Sequence, residues 1–85
     1  MRLDKFLKVS RLIKRRTLAK EVADQGRIKV NGNTAKASTN VAPGDTLTIQ
    51  FGQKLVTVRV DAVKDTVKKD EAEDLYTVLK EEKLQ

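Results

Sequence analysis

The chain has no cysteine, no histidine and no tryptophan. Without thiols it can form neither a disulfide nor a thiolate metal site, which fits a reducing compartment. Without imidazole it lacks the commonest general base and the commonest metal ligand. Its aromatics are two phenylalanines and one tyrosine, and Phe6 and Phe51 both fall on apolar faces. A base-stacking platform of the single-strand-binding type is therefore not expected. No apolar run approaches the roughly 20 residues of a membrane span, and the opening MRLDKFLKVSRLIKRR is too charged to hold a secretory h-region. These absences lead us to expect a soluble, cytoplasmic protein. Its 85 residues make one small domain, and a chain of that size buries only roughly 60% of its unfolded surface.

Positive charge is abundant and unevenly placed. Residues 1–36 hold 11 Lys/Arg and 3 Asp/Glu, a net of +8, whereas residues 37–85 hold 7 and 9, a net of −2; together they give the formal +6. A basic first half on a neutral-to-acidic second half implies a directed face. The density peaks in SRLIKRRTLAKEVADQGRIKVNG, residues 10–32, with Arg11, Lys14, Arg15, Arg16, Lys20, Arg27 and Lys29. Like charges this close weaken a compact state unless a polyanion offsets them.

Local patterning places this cluster on a folded scaffold. Leu3, Phe6 and Leu7 recur at helical spacing and predict a helix over residues 2–9. Residues 10–16 read as a connector with Leu12 and Ile13 turned inward. Thr17 is the expected N-cap of a second helix that buries Leu18, Ala19, Val22 and Ala23 and closes at Gly26. Ile28 and Val30 alternate with Arg27 and Lys29 as a half-buried strand, and Asn31-Gly32 predicts a type I′ hairpin turn with a return strand over 34–36. A turn at Pro43-Gly44-Asp45 precedes a strand carrying Leu47, Ile49 and Phe51. Gly52 to Lys54 connects it to a further strand with Val56, Val58, Val60 and Ala62 on one face. Ala72, Leu75, Tyr76 and Leu79 predict an amphipathic C-terminal helix from about Asp70, its acidic start matched to the helix dipole.

The cations of the first half compose a candidate binding surface. Arg15 and Arg16 precede the expected helix start, where free backbone amides favour a phosphate and planar guanidiniums can grip it bidentately. Arg11 and Lys14 come from the same connector, Arg2 and Lys5 extend the patch from the first helix, and Lys20, Lys29 and Lys36 border it. Isolated lysines such as Lys54, Lys64 and Lys83 read as solvated surface charge. The poverty of aromatics favours folded nucleic acid recognised by shape and phosphate. Charge alone leaves RNA and DNA both open.

RLDKFL, the basic connector, TLAKEVADQGRIKVNG and the later PGD turn, in this order over residues 1–62, resemble the S-four RNA-binding domain. The resemblance implies an α+β fold of the αL-RNA-binding-motif type, with short N-terminal helices packed on a small, bent, mostly antiparallel sheet. Its RNA surface is implied to be the two-helix face with the start of the hairpin. FGQKLVTV and EDLYTVLKEEKL extend the resemblance to a compact bacterial branch of that family, the RqcP or YabO type of ribosome-associated quality control, related to the heat-shock S-four proteins. This branch implies a large ribosomal subunit with its rRNA, peptidyl-tRNA and an RqcH-type tailing factor as partners, and support for C-terminal alanine tailing of the nascent chain. The expected protein is a monomer without cofactor, metal, membrane contact or enzymatic activity. Its S-four-like domain is expected over residues 1–63, and a linker with the C-terminal helix over 64–85. The alternatives are a heat-shock-type factor that recycles subunits carrying nascent chains, an RNA-modifying enzyme for which no catalytic domain remains, and a protein-binding adaptor acting through the C-terminal helix.

Overall fold

The first helix, α1 (Leu3–Val9), forms where the i, i+3, i+4 spacing of Leu3, Phe6 and Leu7 gives one stripe that buries completely. The computed structural model, which describes residues 1–84, adds a second helix, α2 (Arg16–Asp24), packed against the first. Ala19 and Ala23 are its buried residues, with Val22 partly buried against the core. Leu18, expected inside, is 49% exposed. Two alanines a turn apart let α2 lie close to its neighbour, and that proximity leaves the longer Leu18 at the rim. Gly26 ends α2 at φ +77°. Its amide donates to Ala23 O and that of Arg27 to Val22 O, at 3.0 and 3.2 Å. This pair of bonds is the Schellman closure, which needs a left-handed residue.

Five strands follow in an antiparallel sheet of spatial order β2-β1-β3-β4-β5. They are β1 (Ile28–Val30), β2 (Asn33–Thr34), β3 (Thr46–Phe51), β4 (Lys54–Val60) and β5 (Tyr76–Lys83). Asn31 and Gly32 join β1 to β2 with φ values of +53° and +86°, the pair of positive angles that a type I′ turn demands. Asn31 also ties this turn to the one at Pro43-Gly44. Its Nδ2 donates to Asp45 Oδ1 at 3.1 Å, and its Oδ1 accepts the Thr46 amide at 2.9 Å. Ile28, Leu47, Ile49, Val56, Val58 and Val60 are buried in one core with Leu3, Phe6 and Leu7. The period-2 alternation along β3 and β4 keeps Thr46, Thr48 and Thr57 on the opposite face.

The α+β class with helices on an antiparallel sheet is as the sequence leads one to expect; the tail is not. Instead of an amphipathic helix, residues Lys69–Leu75 form a 3-10 helix and Tyr76–Lys83 pair with β4 as the last strand. Ala72 and Leu75, three residues apart, are buried and match the threefold period of a 3-10 turn. Beyond them the sheet decides. Without β5 the polar backbone edge of β4 would stay unpaired, and the β-branched Thr77-Val78 pair suits a strand. A register shift between Thr57 and Val58 accommodates Leu79 as an extra residue. The adaptor reading, which needed an exposed helix here, loses its docking element.

Candidate nucleic-acid interface

α1 begins on a buried carboxylate. The Asp4 side chain is 3% exposed yet meets two guanidiniums that are themselves half exposed, Arg2 at 49% and Arg16 at 47%. Arg2 donates from Nε to Oδ1 and from Nη2 to Oδ2, both at 3.2 Å. Arg16 approaches both oxygens at 3.5 Å, Nη2 toward Oδ1 and Nε toward Oδ2. The Lys5 amide also donates to Oδ1, at 2.8 Å. One carboxylate therefore holds two cations, one from the residue before α1 and one from the first turn of α2, and the triad keeps a net charge of +1. A fork held on one edge has fewer rotamers to lose when its free N–H groups meet a phosphate.

α2 begins on open backbone. Its N-cap is Arg15 in extended conformation, with no side-chain cap; Thr17, the expected cap, lies one residue inside the helix. Among the described residues the amides of Arg16, Thr17 and Leu18 have no backbone acceptor, and the ladder starts with Ala19 N to Arg15 O at 3.0 Å. Unsatisfied amides and the positive end of the helix dipole favour an anion here. Arg2, Asp4, Arg16, Thr17 and Lys20 line a shallow depression at this point.

The remaining sequence-predicted residues divide into groups. Arg11 and Lys14 share a cleft at the other end of α1 with Lys8, Val9 and residues 65–67. Ile13 is buried between them and fixes the connector; its amide donates to Leu7 O at 3.1 Å. Lys5 is engaged by Asp65 at 2.9 Å. Lys29 lies beside Arg27, Thr48, Gln50 and Leu55 in a separate recess that shares no residue with the helix-start depression. Lys36 sits in the loop after β2, where its amide donates to Thr39 Oγ1. Among the described residues Arg11, Lys14, Arg15, Lys20, Lys29 and Lys36 form no ion pair. In the second half, by contrast, Lys54 pairs with Glu81, Arg59 with Asp61 and Lys80 with Glu82. The Asp61 carboxyl is held below the usual carboxylate range by hydrogen bonds from Thr77 and Arg59.

Sequence reasoning missed Asp4 and Lys8. An acid beside Arg2 in RLDKFL is a visible signal, but its second partner stands 12 residues on and only the helix pairing reveals it. No aromatic ring is offered for stacking: Phe6 is buried, and Phe51 and Tyr76 pack against the core.

Two short helices on an antiparallel sheet, with cations and free amides at the second helix start, define the class of small nucleic-acid-binding α+β modules. The S4 domain family model matches residues 1–47, and the chain belongs to that family. It is 77% identical over 84 residues to the RQC P-site tRNA stabilizing factor of Bacillus subtilis strain 168, covering 99% of this chain and 98% of that protein. It is 55% identical to the protein of the same name from Streptococcus pneumoniae strain R6, covering 100% and 97%. Heat shock protein 15 of Escherichia coli K12 is 38% identical over 65 residues, which cover 76% of this chain and 49% of that protein. The solved structure of Vibrio cholerae heat shock protein 15 superposes with a TM-score of 0.86 at 32% identity, over 93% of this chain and 81% of the other.

Proposed function

We propose that this chain is a non-catalytic RNA-binding factor of ribosome-associated quality control. It holds P-site tRNA on a large ribosomal subunit while the stalled nascent chain is extended. The observation that carries the reading is the start of α2, where unsatisfied amides, Lys20 and the Asp4-oriented pair of Arg2 and Arg16 meet at one exposed depression. The full-length likeness to proteins named RQC P-site tRNA stabilizing factor supports the same reading. The heat-shock recycling alternative is weaker, because identity to the Escherichia coli protein is 38%, against 77% and 55% for the two stabilizing factors.

In this reading Arg2, Arg11, Lys14, Arg15, Arg16 and Lys20 contact phosphates of tRNA and large-subunit rRNA. Lys5, Lys29 and Lys36 add weaker, longer-range attraction. The protein acts as a cytoplasmic monomer and supplies geometry, leaving alanine tailing to an RqcH-type partner. Contact with about five phosphates gives a log–log salt slope of about −3.5 to −4.5. Titration of purified large subunits carrying P-site tRNA, at several salt concentrations, tests this. Arg16→Ala should weaken binding about tenfold with only a modest fall in Tm, since the buried Asp4 carboxylate keeps Arg2 and the Lys5 amide as partners. A salt-independent affinity, or an Arg16→Ala protein that binds like wild type, refutes the reading.

A further inference from the structure

The sheet has two faces, and one of them carries the helices. Ile28, Leu47, Ile49, Val56 and Val58 are buried on that side, in one core with Leu3, Phe6 and Leu7. The strand alternation therefore turns Lys29, Thr48, Gln50 and Leu55 to the other side. There Arg27, Lys29, Thr48, Gln50, Leu55 and Leu84 line a recess of about 260 Å³. We propose that this recess docks an acidic peptide segment of a partner protein. Carboxylates of the segment meet Arg27 and Lys29, and an apolar side chain beside them covers Leu55 and Leu84. The proposal goes beyond the RNA reading and does not depend on it.

Charge and apolar surface together select this occupant. Arg27 and Lys29 are exposed, and among the described residues neither forms an ion pair. The acid that the register places nearest, Glu82 opposite Leu55, is engaged by Lys80, so two positive charges stay unbalanced. The Thr48 hydroxyl and the Gln50 amide add neutral donors, and Gln50 Nε2 reaches only Gly52 O, at 3.5 Å. Charge-assisted hydrogen bonds to carboxylates are the strong class that such a set can form. Leu55 and Leu84 are half-buried, yet neither packs against the buried core. The Leu84 backbone is fixed over the recess, its amide donating to Gln53 O at 2.6 Å. A nucleic-acid backbone brings phosphates but no apolar group to cover these leucines, and no aromatic ring stands here to stack a base. An acidic peptide with a bulky apolar residue brings both. The volume lies below the roughly 300–1,000 Å³ of small-molecule pockets and suits one anchoring side chain with its charged neighbours. Because the recess shares no residue with the helix-start depression, both can be occupied at once.

The test titrates the hexapeptide Glu-Asp-Leu-Leu-Asp-Glu into the isotope-labelled full chain and follows amide shifts by NMR. Shifts should cluster at Lys29, Thr48, Gln50 and Leu55. Arg27→Ala should weaken the peptide about fivefold through loss of a charge-assisted contact. Leu55→Ser should weaken it about threefold or more through loss of half-buried apolar area. Both variants should bind large subunits carrying P-site tRNA as wild type does, which also shows that they fold. The same peptide with both leucines replaced by glycine should bind several-fold more weakly. Four results overturn the proposal: no binding, shifts that map elsewhere, equal affinity for the glycine peptide, or loss of subunit binding in Arg27→Ala. Hexauridylate binding the same residues more tightly than the peptide also overturns it, and makes the recess an RNA contact.

Discussion

The two helices start differently, and the difference separates structure from function. At α1 every early amide has an acceptor: Leu3 donates to Thr39 O at 2.7 Å, Asp4 to Ala37 O at 3.2 Å and Lys5 to the Asp4 carboxylate at 2.8 Å. The 37–39 loop is stitched over that end, and nothing is left for a ligand. At α2, among the described residues, the first three amides have no acceptor and the guanidiniums of Arg2 and Arg16 line the depression there. Helix propensity would favour capping both ends. Leaving one uncapped costs stability, and the anion that would fill it is the natural compensation.

Asp4→Ala breaks this contrast most severely. It removes the acceptor of the Lys5 amide and the anchor of both arginines in a buried position, so stability should fall by about 1–3 kcal/mol in thermal denaturation. Binding should weaken about tenfold, or 1.4 kcal/mol, although the net charge rises. If affinity increased instead, bulk charge rather than the posture of Arg2 and Arg16 would govern binding. Thr17→Glu sharpens the contrast by moving the two readouts in opposite directions. An acid in the first turn should stabilise the helix by about 0.3–1 kcal/mol. The same carboxylate should occupy the amides, neutralise Arg16 and reduce binding several-fold. A destabilised Thr17→Glu protein would show that this end is not an open dipole terminus.

Arg11→Gly makes the corresponding comparison at the other end of the helices. α2 leaves through Gly26 and α1 through Arg11, both at positive φ. Glycine at 11 removes a strain of about 1 kcal/mol while losing a cation. Melting temperature should hold or rise and affinity should drop. An equal fall in both would make Arg11 structural. Smallest is the effect of pH. Asp65 has a depressed folded pKa because the Lys5 ammonium donates to it and attracts it. Its ion pair is therefore present above the unfolded carboxylate pKa and is lost only as pH falls through the lower folded value. Affinity should thus be flat between about pH 6 and 8, where a histidine-free chain has no side chain that titrates normally. An NMR titration should place the Asp65 midpoint below 3.8.

Local chemistry was readable wherever one residue type had one job. Leu3, Phe6 and Leu7 give α1 its stripe, Gly26 closes α2, and Asn31-Gly32 turns the first hairpin. The valines of β4 alternate as a half-buried strand must. The tail misled because its apolar residues, Ala72, Leu75, Tyr76 and Leu79, fit a helical period while most of the segment stays exposed. With so little burial, pairing to a vacant sheet edge outweighs periodicity, and that edge exists only once β4 is in place. Thr17 fits the composition of a cap, but the helix begins one residue earlier, so its hydroxyl is past the capping position. In the basic face, residue type marked the cations. Their grouping into a depression and a cleft depended on Asp4 and on residues 65–67, which approach only through tertiary folding.

The clasp of Asn31 on Asp45 and Thr46 has a consequence for how the molecule ages. An asparagine followed by glycine is the pair most prone to cyclise, with the next backbone nitrogen attacking the side-chain amide and expelling ammonia. Here both ends of that amide are held, Nδ2 by a carboxylate and Oδ1 by a backbone N–H, so it cannot swing onto the Gly32 nitrogen. Deamidation is thereby confined to moments when the hairpin comes apart. The fraction of chains bearing an acid at this position after storage is a chemical clock of time spent open.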